Sequence, residues 1–302
     1  MHSMYNVMAE NFSHARKFSG DLLYFPGHLL SDFPFYKSGF SAILFCMTPL
    51  EKYYNKFHED HRLTTRHGTV EYNTSMHFIH QYIPEGQKLK ILDVGAGTGR
   101  YSVALCHEGH DVTAVELVKH NLDILLAKHE KVKCWPGDAR NLHFLDDGIF
   151  DVTIMFGPMY HLVSDEDKIK ALQEARRVTK KGGIIFVAYI MNDYSVIQYC
   201  FKQGKIKECM EKGLLTDDFH EIASGDDLYS YVRLEDVERI NAACGISREK
   251  IFAPDGAADY MRKELNALDE ESFSLFLKYQ IAVAERPDLL GASSHIVDVL
   301  RN

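Results

Sequence analysis

The sequence lacks paired cysteines, an excess of positive charge and a membrane-length apolar run. Its six cysteines include no C-x-x-C pair, so we expect reduced thiols in a cytoplasmic protein. The 34 basic residues are outnumbered by 43 acidic ones, which disfavours nucleic acid as the main partner because phosphate binding depends on clustered Lys and Arg. The mostly apolar run Phe40–Met47 is too short to cross a bilayer, so no membrane partner is expected.

A complete set of metal ligands is also missing from the sequence pattern. Histidines recur at three-residue spacing and would share a helix face, as in His58/His61, His77/His80 and His107/His110. No third ligand accompanies any of these pairs, so the sequence predicts no metal site.

The segment Leu89–Gly99 is the most informative part of the chain. The apolar run Leu89–Val94 is interrupted only by Lys90 and Asp93, and it passes directly into glycines at alternate positions, Gly95, Gly97 and Gly99. Such a pattern predicts a buried parallel strand that turns sharply into a helix. Glycine suits the turn because it adopts positive φ and because it has no Cβ to keep a ligand away from the backbone.

The spacing of these glycines indicates the kind of ligand. A dinucleotide fingerprint requires G-x-G-x-x-G, whereas the third glycine here comes one residue early and Asp93 precedes the first by two. A carboxylate there would repel a pyrophosphate and would suit an ammonium group. The D-x-G-x-G-x-G pattern resembles motif I of the class I S-adenosylmethionine-dependent methyltransferases, in particular the small-molecule enzymes of the methyltransferase type 11/25 group.

Acidic residues follow the next two predicted strands, as this family requires. Glu116 follows the strand Asp111–Val115, at a position where a carboxylate accepts both ribose hydroxyls. Asp138 follows the strand Val132–Trp135, at a position where an acidic residue of this family contacts the adenine edge. The resemblance implies S-adenosylmethionine as cofactor and S-adenosylhomocysteine as product. It implies cofactor binding by Asp93, Gly95, Ala96, Gly97, Thr98, Gly99, Glu116, Leu117, Asp138, Ala139 and Phe156.

The resemblance also implies the architecture. We expect an α/β fold with a doubly wound, mostly parallel seven-stranded sheet, whose last strand, His295–Leu300, runs antiparallel between the fifth and the sixth, Lys250–Ala253. Residues 1–50 are predicted to be a peripheral extension, and 51–302 a single domain. This domain is predicted to carry N-terminal lid helices over 51–85 and insertions over about 192–227 and 257–294. The lid and insertions offer Tyr53, Arg66, Tyr72 and Tyr194 as substrate-contacting candidates.

Methyl transfer from a sulfonium is an in-line displacement, so the protein mainly has to align the reacting atoms. Tyr160 and His161, in the loop after the fourth predicted strand, are the catalytic candidates. His161 either removes a proton from the acceptor or merely hydrogen-bonds the loop. The loop lacks the Asn/Asp-Pro-Pro-aromatic sequence of enzymes that methylate base amines or glutamine amides.

We therefore predict methyl transfer to a small-molecule acceptor. The alternatives are a methyltransferase for RNA or protein, a protein that binds S-adenosylmethionine without turnover, and an NAD-dependent oxidoreductase. The sequence leaves the acceptor and the oligomeric state open.

A chain shortened to begin at Met47 is expected to fold and to bind S-adenosylmethionine as the full chain does, because residues 1–46 carry none of the motifs. Circular dichroism and calorimetry with this compound measure the two properties. Loss of either one relative to the full-length chain would contradict the peripheral assignment.

Overall fold

The computed structural model describes residues 48–55, 65–225 and 227–302 of the chain. The predicted peripheral extension, apart from its last three residues, lies outside these ranges, and so does the His58/His61 pair. Within them the fold is the expected α/β architecture, in which a central sheet is covered by helices.

The described residues form one sheet with the order β3-β2-β1-β4-β5-β8-β7, and β6 pairs with β5 off this path. The strands are β1 Lys90–Val94, β2 Asp111–Glu116, β3 Lys133–Pro136, β4 Phe150–Met155, β5 Thr179–Met191, β6 Tyr231–Val232, β7 Ser247–Phe252 and β8 His295–Arg301. Pairing between β1 and its neighbours and between β4 and β5 is parallel, as a doubly wound fold requires.

The helices are short, and no helix within the described ranges is both long and apolar enough to cross a membrane. They are α1 Pro49–Tyr54, α2 Arg66–His80, α3 Arg100–His107, α4 Lys119–Ala127, α5 Asp165–Val178, α6 Asn192–Ser195, α7 Ile206–Glu211, α8 Leu234–Cys244, α9 Arg262–Ala267, α10 Glu270–Val283 and α11 Pro287–Leu290. A 3-10 turn spans Pro158–Tyr160, and a π-helix spans Val196–Phe201.

Two buried apolar clusters cover the two faces of the sheet. Successive residues of β5 alternate between them, since Ile185 and Val187 belong to one cluster and Phe186 to the other. The first cluster packs α5 and α8 against the sheet, and the second packs α2 and α3 against it. This alternation is what a strand buried on both faces produces.

The last strand lies where the sequence predicts. β8 pairs antiparallel with β5 and with β7, and its first residue, His295, lies opposite Ile190. Because β8 runs against its neighbours, its first residue lies at the edge of the sheet where the parallel strands end. The preceding strand covers Ser247–Phe252 rather than Lys250–Ala253, and a register shift interrupts its pairing with β8.

An eighth strand corrects the expected count of seven. This strand, β6, consists of Tyr231 and Val232, which pair in parallel with the end of β5. β5 continues past the last residue of β4 with which it pairs, Met155, and so exposes backbone groups at Ile190 and Met191. The short β6 satisfies those groups.

The two predicted insertions are both helical. The first contains α6, the π-helix and α7, which enclose their own small apolar cluster around Tyr199, Cys200 and Leu215. The second contains α9, α10 and α11, and its Leu265 and Phe273 pack with Val70 of α2. Each insertion therefore contributes side chains to a small apolar cluster apart from the two main ones.

The glycine turn after β1 has the predicted backbone, with φ of +73° at Gly95, +57° at Gly97 and +85° at Gly99. Two of these glycines also permit close packing inside the protein. A Cβ on Gly95 would lie 2.7 Å from Cδ of Pro158, and one on Gly99 would lie 2.2 Å from Cδ1 of Leu125. At Gly95 and Gly99 the missing Cβ thus makes room for neighbouring side chains.

Replacing Gly99 with Ala is expected to lower the free energy of unfolding by about 2–5 kcal/mol. Alanine is unfavourable at positive φ, and its Cβ would overlap with the buried side chain of Leu125. Gly86→Ala is the matched control, because Gly86 has φ of +74° and no atom within 4 Å of its added Cβ. We expect it to cost about 1–2 kcal/mol. Urea unfolding followed by circular dichroism measures both, and equal losses would contradict the packing role.

Candidate functional site

A cavity of about 1230 Å³ opens where the parallel strands end. The loops after β1, β2, β3 and β4 form one end of the cavity. Side chains of α1, α2 and α9 and the start of β8 form the other end of the cavity. Ligands of doubly wound sheets bind at this edge, so the position matches the prediction.

Glu116 ties the loops after β1 and β2 together. Its carboxylate accepts the backbone N–H of Gly97 at 2.7 Å through Oε2 and that of Val118 at 2.7 Å through Oε1. The side chain lines the cavity although it is only 5% exposed. These two contacts fix the carboxylate of Glu116 at the wall of the cavity.

Asp93 lies beneath the glycine turn and is absent from the cavity lining. Its Oδ2 accepts the hydroxyl of Ser102 in α3 at 2.6 Å, and the residue is 2% exposed. Burial raises the pKa of Asp93 to about 6, although the hydrogen bonds from Ser102 oppose the rise. This carboxyl group therefore joins the end of β1 to the helix that follows.

Asp138 lines the cavity after β3 and is held by Arg140. The guanidinium of Arg140 donates to both carboxylate oxygens of Asp138, from Nη2 at 2.6 Å and from Nε at 3.1 Å. The same guanidinium pairs with Asp167 at 2.9 Å. Burial raises the pKa of Asp138, but the hydrogen bonds and charge of Arg140 outweigh burial and hold the pKa below its usual value. Asp138 is therefore a fixed anionic acceptor.

The loop after β4 brings Tyr160 and His161 to the cavity. The hydroxyl of Tyr160 donates to the carbonyl of Phe156, which closes the loop on itself. His161 contacts the Leu228 carbonyl through Nδ1 at 2.8 Å and the Tyr54 hydroxyl through Nε2 at 3.0 Å. Since a carbonyl only accepts, Nδ1 carries the proton and Nε2 accepts from Tyr54. Burial lowers the pKa of His161 to about 4, so the ring is neutral at pH 7.

Aromatic rings surround His161. Its imidazole stacks on Tyr229 with centroids 5.1 Å apart, and Tyr54 meets it edge-on at 5.7 Å. Tyr53 contacts both tyrosines, at 5.0 Å from Tyr54 and 6.2 Å from Tyr229. We call Tyr53, Tyr54, His161 and Tyr229 the aromatic wall.

Carboxylates and imidazoles gather at the other end of the cavity. Asp255 and His295 are joined at 2.7 Å between Oδ2 and Nδ1, and one oxygen of Glu71 lies within 4.8 Å of ligand atoms of both residues. Asp259 pairs with Arg262 at 2.9 Å. Burial raises the pKa of Asp255, and the neighbouring His295 opposes the rise. We call Glu71, Asp255, Asp259 and His295 the acidic end.

The structure brings most of the predicted site residues to one cavity. Those that line it are Gly95, Gly97, Glu116, Leu117, Asp138, Ala139, Phe156, Tyr160, His161, Tyr53 and Tyr194. Those outside the lining are Asp93, Ala96, Thr98, Gly99, Arg66 and Tyr72. Arg66 instead pairs with Glu270 at 2.5 Å, and Tyr72 packs on Tyr101 with ring centroids 5.3 Å apart.

Sequence analysis missed several lining residues, notably Tyr54, Glu71, Asn121 and His295. His295 had a usable signal, because the first residue of an antiparallel strand among parallel ones lies at their carboxyl edge. Tyr54 stands beside the predicted Tyr53, and both residues line the cavity.

Comparison with known proteins identifies the central part of the chain. A family model described as a methyltransferase domain matches residues 91–183. The cypemycin N-terminal methyltransferase of a Streptomyces species is 38% identical over 100 residues, which are 32% of this chain and 40% of that protein. The demethylmenaquinone methyltransferase of Renibacterium salmoninarum is 37% identical over 99 residues, 33% of this chain and 40% of that protein. The chain thus spans about two fifths of these relatives.

Solved structures extend the likeness of fold. A possible histamine N-methyltransferase from Thermotoga maritima has a TM-score of 0.51 at 20% identity, covering 83% of this chain and 97% of its own. A methyltransferase from Methanosarcina mazei has a TM-score of 0.50 at 13% identity, covering 74% of this chain and 96% of its own. Residues 91–183 thus match a methyltransferase domain, and the fold of the chain is like that of these methyltransferases.

Asn121 of α4 supports the fit of a nucleoside to this cavity. It lines the cavity beside Leu117 and Val118, is 2% exposed, and its Oδ1 has no hydrogen-bond partner in the described part of the chain. A buried amide oxygen without a partner costs about 1–3 kcal/mol. A ligand with an N–H or O–H donor at this end of the cavity would remove that cost.

Replacing Asn121 with Leu is expected to have opposite effects on stability and binding. Removing the unsatisfied amide should raise the free energy of unfolding by about 1–3 kcal/mol, and losing one hydrogen bond should weaken S-adenosylhomocysteine binding roughly fivefold. Urea unfolding and calorimetry measure the two. Thr74→Val removes a buried hydroxyl that lies outside the cavity lining and has no hydrogen-bond partner among the described residues, so only stability should change. Unchanged affinity in Asn121→Leu would refute the contact.

Proposed function

We propose that this protein transfers a methyl group from S-adenosylmethionine to a small-molecule acceptor. The observation that carries this proposal is that one cavity joins the loops of the methyltransferase domain to the aromatic wall and the acidic end. Donor and acceptor would therefore meet inside the protein. Enclosure excludes water and holds the reactants in line, which is most of what methyl transfer requires.

The residues after β1, β2 and β3 would hold the nucleoside. Glu116 would accept the ribose hydroxyls, and Asp138 and Ala139 would contact the adenine, as the resemblance implies. Gly95 and Gly97 would bring the backbone close to the ligand, while Asp93 would act from below by fixing the turn. When bound, S-adenosylmethionine supplies an electrophilic methyl group on a positively charged sulfur.

Tyr160 and His161 would position the acceptor. The base role predicted for His161 needs the Nε2 lone pair, which already accepts the Tyr54 hydroxyl. The lowered pKa of His161 makes its imidazole a poor proton acceptor as well. Both facts support a positioning role for His161, which holds Tyr54 by a hydrogen bond. Tyr160 would hold the loop after β4 through its hydrogen bond to the Phe156 carbonyl.

A small acceptor suits this cavity better than a macromolecule. Its volume of about 1230 Å³ lies slightly above the ordinary range for small-molecule sites, which leaves space for a nucleoside and a second ligand. The formal net charge of −9 would repel RNA. Tyr53 and Tyr194 line the cavity and would contact the acceptor, as the sequence predicts.

Calorimetry tests the donor half of the proposal. We expect S-adenosylmethionine and S-adenosylhomocysteine to bind and NADH not to bind. Glu116→Lys should weaken S-adenosylhomocysteine binding more than about 100-fold, because two charge-assisted hydrogen bonds are lost and a repulsive charge is introduced. Glu116→Gln keeps the size of the side chain, and it should weaken binding less.

Glu130→Lys is the control, because Glu130 pairs with His107 outside the cavity lining. Circular dichroism verifies that each variant is folded. Failure of the wild-type protein to bind S-adenosylhomocysteine, or full affinity in Glu116→Lys, would refute the proposal. Donor consumption measured against a metabolite library then identifies the acceptor.

A further inference from the structure

Tyrosine rings are prominent in the lining of the cavity. Besides the three tyrosines of the aromatic wall, Tyr194, Tyr231 and Tyr260 line it. Tyr231 continues the aromatic wall, because its ring centroid lies 6.5 Å from that of Tyr229. Tyr194 and Tyr260 form a second group, in which the rings meet edge-on with centroids 5.2 Å apart. Rings from well-separated parts of the chain therefore share one cavity.

Two of these tyrosines have their hydroxyl groups bonded within the protein. The hydroxyl of Tyr54 donates to Nε2 of His161 at 3.0 Å, and that of Tyr260 donates to the Ala292 carbonyl at 2.8 Å. What these side chains offer to a ligand is therefore mainly the carbon surface of their rings. Aromatic rings pack well against another ring, either offset and stacked or edge-on.

The charged side chains that line the cavity away from the loops after β1 to β4 and the start of α5 are evenly matched. Three carboxylates and three basic side chains lie there: Glu71, Asp259 and Glu264, and Lys202, Arg262 and Lys263. Asp259 pairs with Arg262 at 2.9 Å and lies 4.0 Å from His67. Asp255, which is absent from the lining, pairs with His295 at 2.7 Å.

This balance of charge bears on the acceptor. A formal charge on a ligand enclosed here would be left without a matching charge of its own, and an unmatched charge is costly away from bulk water. A neutral acceptor carries no such cost. Ring surface and matched charges thus favour the same kind of molecule.

We infer that the acceptor is a neutral molecule built on a planar aromatic ring system, which packs against the tyrosine rings of the aromatic wall and of the Tyr194–Tyr260 pair. This inference rests on the proposed function, because it names the acceptor class of the same site.

An organic cation is the alternative occupant, since the faces of tyrosine rings also attract ammonium groups. The matched charges favour the neutral molecule, because Lys202, Arg262 and Lys263 offset the attraction that the carboxylates would exert on a cation. Binding of a cation is therefore one of the outcomes that the experiment distinguishes.

The test compares four compounds of one skeleton by calorimetry, using the full-length protein saturated with S-adenosylhomocysteine. 2-Naphthol is the neutral aromatic probe, and decahydro-2-naphthol is its saturated counterpart. 2-Naphthoate and 2-naphthylmethylamine add a negative and a positive charge. We expect 2-naphthol to bind at least about fivefold more tightly than each of the others, because one ring–ring contact is worth roughly two- to tenfold in affinity beyond the area it buries.

Binding of S-adenosylhomocysteine is measured first, which separates the two proposals. A protein that does not bind this compound fails at the proposed function. A protein that binds it but shows no preference for 2-naphthol fails only at the acceptor class.

Variants at Tyr53 and Tyr194 test one ring from each group. Tyr53→Leu and Tyr194→Leu should each weaken 2-naphthol binding by at least about threefold, whereas Tyr53→Phe and Tyr194→Phe keep the ring and should bind within about twofold of wild type. Tyr279→Leu is the matched control, because Tyr279 is 53% exposed on α10 and lies outside the lining. All five variants should bind S-adenosylhomocysteine within about twofold of wild type, which also shows that they are folded.

Several results would overturn the inference while leaving donor binding intact. They are no binding of 2-naphthol, equal or tighter binding of decahydro-2-naphthol, tighter binding of either charged probe, and full affinity for 2-naphthol in both leucine variants. Turnover, in the metabolite library, of an acceptor that lacks an aromatic ring or carries a formal charge at pH 7 would overturn it as well.

Discussion

The half of the cavity formed by the loops after β1 to β4, which we call the loop half, depends on the carboxylate of Glu116. Two backbone N–H groups, from Gly97 and Val118, converge on it from loops that follow different strands. A buried carboxylate is stable when charge-assisted hydrogen bonds replace the water it has lost. The same side chain thereby sets the distance between the glycine turn and the start of α4, where Asn121 faces the cavity.

The cavity has two halves that the fold builds in different ways. The loop half uses successive strand–loop–helix units, so each of its residues follows directly from the strand before it. The other half collects α1, α2 and α9 and the start of β8, which are far apart along the chain. Aromatic and acidic side chains then divide that half into two walls of different chemistry. A polar acceptor with an apolar body would be oriented by such a division.

Several residues that the sequence singles out for cofactor binding line the loop half, because the sequence signals there are local. An apolar run ending in glycines, and acids at the ends of the next strands, place Gly95, Glu116 and Asp138 with no knowledge of distant contacts. Asp93 shows the limit of such reasoning. Its spacing suits a ligand contact, but the side chain points under the turn to Ser102, and only packing decides that direction.

The other half is harder to predict because pairing across the sheet creates it. Asp255 and His295 are 40 residues apart, and their contact requires β7 and β8 to align. The short β6 likewise depends on distant residues, because its two residues pair with the part of β5 that extends beyond β4. No periodicity within either segment encodes these partners.

The placement of β8 between β5 and β7 has a consequence for partial unfolding. If β8 detached, β7 would lose the only neighbour that the described sheet gives it, while β1 to β5 would keep their mutual pairing. Native proteins open in such cooperative units, with amide exchange reporting the boundary. An open form of this kind would keep the loops after β1 to β4 but would separate His295 from Asp255. On warming, the part of the cavity at the start of β8 would then be lost before the part formed by those loops.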